Sequence, residues 1–209
     1  MSQKVCIINY GLGNLGSIQN MYKKLGIKVE ITGNETEIAE ADKLILPGVG
    51  AFDEGMRGLK KSGLMNVLSR RVLEDQTPVL GVCLGMQLLT KESEEGAEQG
   101  LGWIDAKAKR FLFSPNSDLK IPHMGWNEVE ICHKDELVKD LDKSEEAARF
   151  YFVHSYFVEC ANAQEVLLKT SHGVDFDAAY RHNHIMGVQF HPEKSHKFGM
   201  QILKNFYEL

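Results

Sequence analysis

At 209 residues, 43% hydrophobic and 25% charged, the chain has an ordinary globular composition and the length for one α/β domain over residues 1–209. With 24 basic residues against 29 acidic the net charge is −5, which argues against electrostatic capture of nucleic acid or an anionic membrane and points to a small molecule or another protein as partner. The first apolar run begins at residue 4, which leaves no room for a secretory leader, and no apolar run approaches about 18 residues, so the expectation is a cytoplasmic protein whose Cys6, Cys83, Cys132 and Cys160 stay reduced.

In chain order, "KVCIIN" (4–9) reads as a strand, followed by a helix over about 14–25, and "KVEIT" (28–32) as a strand before a short helix near 35–41. "KLILP" (43–47) leads to a helix over about 54–74, and "PVLGV" (78–82) to one over about 84–91. Short β-rich runs separated by helical patterns imply parallel strands covered on both faces: a three-layer, doubly wound, flavodoxin-like sheet. From about residue 103 strands follow one another: "AKRFLF", "NEVEI", "RFYFVHSYFVEC", "EVLLKTS", "DAAYRH" and "IMGVQFH". They predict antiparallel strands added to that sheet in the second half and closed by a helix over about 196–207.

Gly81-Val82-Cys83-Leu84-Gly85 is G-x-C-x-G at a strand-to-helix junction, the thiol form of the nucleophile elbow, where a sharp turn lifts the nucleophile off the sheet edge. A cysteine opening a helix also meets the positive end of the backbone dipole. A lone buried cysteine is more often inert, so the reading needs a base. "GVQFHPEKS" (187–195) offers one: His191 and Glu193 stand two apart, on one face if the chain stays extended, so that the carboxylate orients the imidazole. Acyl transfer also needs donors for an oxyanion, and Pro47-Gly48-Val49-Gly50 ends a parallel strand with exposed amides; one of these, at Val49 or Gly50, with that of Leu84 completes the requirement.

Two other chemistries are weaker. "GLGNLG" (11–16) satisfies G-x-G-x-x-G after a strand, yet no acidic residue closes the next strand, so the dinucleotide fingerprint is incomplete. His182 and His184 have no carboxylate or cysteine at zinc-like spacing, so neither metal nor other cofactor is expected.

Taken together, "PGVGAF", "GVCLGMQ", "PHMGWNEV", "YFVHSYFV" and "GVQFHPEKS" resemble the class I glutamine amidotransferases, and within them the glutaminase subunits of imidazole glycerol phosphate synthases, over essentially the whole chain. The resemblance implies that Cys83 takes the γ-glutamyl group of L-glutamine, that His191 and Glu193 complete a triad, and that Gly48, Gly50, Gln87, His154, Ser155 and Tyr156 hold the substrate. It implies a heterodimer in which Gly13, Asn14, Met124, Trp126, Lys194 and Ser195 face a (β/α)8 cyclase subunit that receives the ammonia for histidine biosynthesis. Asn9, where many relatives carry Asp, and the unmatched "FLFSPNSDLK" leave a paralogue feeding a sugar-amidating synthetase of surface polysaccharide synthesis as the alternative. A non-catalytic nucleotide-binding module is the third reading.

Overall fold

The computed structural model describes residues 3–114 and 116–209. The first half runs β1 (Val5–Ile8), α1 (Leu15–Lys24), β2 (Glu30–Thr32), α2 (Glu35–Ala39), β3 (Lys43–Gly48), α3 (Phe52–Ser62), α4 (Met65–Ser69), β4 (Val79–Cys83) and α5 (Leu84–Leu88). The second half adds β5 (Glu92–Ser93), β6 (Ala106–Arg110), β7 (His123–Glu128), β8 (Glu130–Ile131), β9 (Arg149–His154), β10 (Tyr156–Cys160), β11 (Val166–Ser171), β12 (Asp175–His182), β13 (Ile185–Val188) and α6 (His196–Glu208).

Strands β2, β1, β3, β4 and β13 lie side by side and parallel, and the order continues antiparallel through β12, β10 and β6, with β5 parallel on the far edge. Strand alternation explains the layers. Val5, Ile7, Ile45, Leu80 and Val82 bury one face of the sheet against Ile18, Met21 and Tyr22 of α1 and Ile202 and Phe206 of α6. Cys6, Ile8, Leu44, Leu46 and Val79 bury the other against Ile38, Phe52, Met56, Leu59 and Leu68 of α2 to α4. Each fully buried side chain of this size contributes roughly 1.5–3 kcal/mol of transfer free energy, so a central strand apolar on both faces is strongly held. No helix of the described residues is long and apolar enough to cross a membrane.

Two expectations change here. The helix expected over 54–74 is three pieces: Gly63, with φ +77°, closes α3 in a left-handed cap, α4 restarts after it, and a π turn over Arg70–Glu74 ends the stretch. Periodicity carried across the glycine because both halves pack Leu59, Leu64 and Leu68 on one core. The run "RFYFVHSYFVEC" is likewise two strands. It breaks at Ser155, with β9 paired to β7 in a separate two-stranded sheet and β10 paired to β6 and β12 in the main one. The apolar run conceals a change of sheet: β9 buries alternate residues, whereas β10 buries the adjacent Phe157 and Val158.

Candidate active site

The carboxyl ends of β3, β4 and β13 meet at one place, where an open α/β sheet presents its ligand crevice. Cys83 ends β4 and caps α5 at φ 54° and ψ −112°, a strained conformation for a residue with a side chain. Sterics account for its neighbours. A Cβ on Gly85 would stand 1.8 Å from the Leu46 carbonyl oxygen, and one on Gly81 2.7 Å from the Gly85 carbonyl oxygen. The turn closes that tightly only with glycine at both positions.

Beside Cys83 lies a cavity of about 310 Å³ lined by Val49, Gly50, Leu84, Gln87 and Glu95, by Pro122 and Val153 to Tyr156, and by Cys83 and His191 themselves. It has room for a small ligand. His191 Nδ1 meets Glu193 Oε1 at 2.8 Å, and Asn14 Nδ2 donates to the same oxygen at 3.1 Å. Burial opposes the charged imidazolium, but Cys83 and Glu193 outweigh it and hold His191 up at about 10. Burial also disfavours the Glu193 carboxylate, and the bonds from His191 and Asn14 overcome it, leaving its pKa below the usual value. A thiol, an imidazole and a carboxylate in this order can perform nucleophilic acyl transfer with proton transfer to the leaving group.

The whole stretch from β1 to α6 that frames this site, residues 6–209, matches the family model described as "Glutamine amidotransferase class-I". The chain belongs to the class I glutamine amidotransferases. The amidotransferase is 50% identical over 202 residues to the imidazole glycerol phosphate synthase subunit HisH 2 of Methanococcus maripaludis, covering 97% of this chain and 98% of that one. The protein of the same printed name from Pseudomonas aeruginosa is 49% identical over 205 residues, covering 98% and 99%. Among solved structures, PurLQS from Thermotoga maritima superposes with a TM-score of 0.75 at 14% identity, covering 100% of this chain and 99% of that one, which supports the fold alone.

Several expected site residues take other places in the amidotransferase. Glu193 does not extend the strand: β13 stops at Val188, and Pro192–Lys194 form a 3-10 turn closed by the Lys194 amide on the His191 carbonyl. Proline opening that turn brings the carboxylate back to the imidazole where an extended chain would have relied on alternation. Gly48 is outside the cavity lining; it pairs with Cys83 in register, and a Cβ there would stand 2.8 Å from Tyr10 Oη. Gln87 lines the cavity, but its amide nitrogen is committed to the Tyr156 carbonyl at 2.9 Å and to Gln189 Oε1 at 3.0 Å. Ser195 is buried, its hydroxyl donating to the His191 carbonyl at 2.6 Å and accepting the Tyr151 amide at 3.0 Å, so it braces the site and offers nothing to a partner.

Met124 and Trp126 are exposed, at 62% and 45%. Trp126 stands beside His196 and Tyr151, with Arg149 over its ring, and Lys194 sits over the Tyr151 ring, so these residues form one aromatic and basic surface. Gly13 packs toward Pro47, with a Cβ there 3.1 Å from the proline ring, and Tyr10 Oη donates to the Pro47 carbonyl at 2.8 Å. The "GLGNLG" turn therefore touches both the oxyanion-strand candidate and, through Asn14, Glu193.

Two polar residues of the site escaped sequence reasoning, as did the lining residues Pro122 and Val153. Gln189 Nε2 donates toward Cys83 Sγ at 3.9 Å, and its position two before His191 was a usable signal. Glu95 lines the cavity while its Oε2 accepts the Phe52 amide at 2.7 Å, capping α3, and burial raises its pKa. Nothing in "KESEEGAEQG" distinguishes it from the solvated glutamates around it.

Proposed function

We propose that this amidotransferase hydrolyses L-glutamine to glutamate and ammonia as the glutaminase subunit of an imidazole glycerol phosphate synthase. The observation that carries the reading is the strained Cys83 elbow opening on the same cavity as His191, with His191 held by Glu193. Cys83 Sγ attacks the carboxamide carbon, and amides at Val49 or Gly50 and at Leu84 receive the oxyanion. His191 gives its proton to the departing nitrogen as the C–N bond breaks, then takes one from the water that hydrolyses the thioester. Glu95, the carboxylate among the cavity-lining residues, supplies the counter-charge for the substrate ammonium, and Ser155 and Tyr156 hold it by their backbone.

The near-full-length likeness to synthase subunits supports a heterodimer with a cyclase that receives the ammonia. Gly13, Asn14, Met124, Trp126 and Lys194 form the docking face on this reading, and the enzyme works in the cytoplasm.

The test is product formation by the chain with a cyclase subunit of its own organism and the cyclase's nucleotide substrate. Cys83→Ala should lower glutamine-dependent synthesis by more than about 1000-fold and spare synthesis from added ammonium. Loss of both overturns the ammonia route. Intact glutaminase chemistry without rescue of a histidine auxotroph moves the partner to sugar amidation.

A further inference from the structure

Next to the cavity, β7, β9 and the turn between β11 and β12 enclose a chain of polar groups that the hydrolysis does not use. His154 Nδ1 lies 2.8 Å from the Tyr156 carbonyl oxygen, His154 Nε2 lies 3.1 Å from His123 Nδ1, and His123 Nε2 lies 3.3 Å from Asn127 Nδ2. Asn127 Nδ2 also donates to the Ser171 carbonyl at 2.8 Å. Only one proton arrangement satisfies every contact. A carbonyl accepts, so His154 carries its hydrogen on Nδ1 and is a bare acceptor at Nε2. His123 must then donate from Nδ1 and accept at Nε2, and the second amide hydrogen of Asn127 fills that place. Both histidines are buried and neutral, and Phe152 and His172 stack on the His123 ring with centroids at 5.0 and 4.3 Å.

The far end of this relay is the cavity wall. The Tyr156 carbonyl accepts from both His154 and Gln87, which pins the His154-Ser155-Tyr156 junction where the chain leaves one sheet for the other. We propose that His123 and Asn127 are positioning residues for glutamine binding, acting through His154 to hold the Ser155–Tyr156 backbone in its ligand-ready shape. The assignment rests on the glutaminase reading above. Removing the His123 donor leaves His154 Nε2 buried and bare, and the ring recovers a partner only by releasing the Tyr156 carbonyl.

Steady-state glutamine hydrolysis by the assembled enzyme with its cyclase subunit tests this. His123→Phe keeps the aromatic stack and loses the donor; it should raise KM for glutamine about tenfold while kcat changes by less than about twofold. His123→Asn places an amide nitrogen near the lost Nδ1 and should return KM to within about threefold of the unmodified enzyme. An unchanged KM in His123→Phe, or equal damage in both variants, overturns the relay, the second because packing alone would explain it. If His123→Phe does not fold, Asn127→Leu carries the test: KM should rise about threefold, and an unchanged KM overturns the assignment. An unmodified enzyme that turns over no glutamine overturns the glutaminase reading and this assignment with it.

Discussion

Cys83, Gly81 and Gly85 show how little freedom a nucleophile elbow leaves. A side chain at position 85 would overlap the Leu46 carbonyl, which belongs to the neighbouring strand and has no room to retreat. Gly85→Ala should therefore cost more than about 3 kcal/mol, read as a shift in the denaturant midpoint, because either β3 moves or the elbow opens. The pattern G-x-C-x-G became legible as a nucleophile site once His191 and Glu193 supplied a base and its orienting carboxylate, since a lone cysteine between glycines is also common in cores. Glu95 did not, because a carboxylate in an acidic loop becomes a site residue only when the fold turns that loop over α3. Ser195, which the family resemblance placed at the partner face, is turned inward in this fold, buried behind the 3-10 turn.

At the scale of elements, the parallel core was the most readable part, since β1, β3 and β4 are short, apolar on both faces and separated by helical patterns. Of the α-helices among the described residues, α2 alone carries a side-chain N-cap, Asn34 accepting from the Thr36 and Glu37 amides. Gly63 is the feature that periodicity passed over. Its positive φ sits in open space, with the nearest contact for an added Cβ at 3.9 Å, so backbone conformation alone sets the penalty. Gly63→Ala should lower stability by about 1 kcal/mol, and Gly63→Asn by less, since asparagine tolerates the left-handed region. Equal losses in a urea titration would contradict that cap.

For the whole molecule, buried histidines set the pH range of stability. Burial holds His123 down at about 4 and His154 at about 3, with His172 and, for His154, His191 also facing them. Below about pH 6.5 the unfolded chain takes up protons there that the folded chain refuses, so stability is present above that pH and is lost as the pH falls toward 4 and 3. For His123 the interval from 6.5 to about 4 caps this at roughly 3 kcal/mol. His191 has the opposite sign: its folded pKa is raised to about 10, so its contribution is full below about 6.5 and is lost as the pH climbs through 10. Thermal melting should peak near neutral pH. His123→Phe should flatten the acid limb and His191→Asn the alkaline one, and melting curves unchanged in shape would refute the assignment of those limbs.

Composition, strand alternation and five short motifs determined by themselves the layered α/β fold, the family and the three residues most suited to the chemistry, because each of those depends on local pattern and chain order. Only the tertiary structure decided that "RFYFVHSYFVEC" divides between two sheets, that Asn14 and Gln189 reach Glu193 and Cys83, and that the ring nitrogens of His123 and His154 meet at 3.1 Å beside the cavity wall. Those contacts join residues 31 to 179 positions apart, and a hydrogen bond between such distant groups leaves no trace in local periodicity.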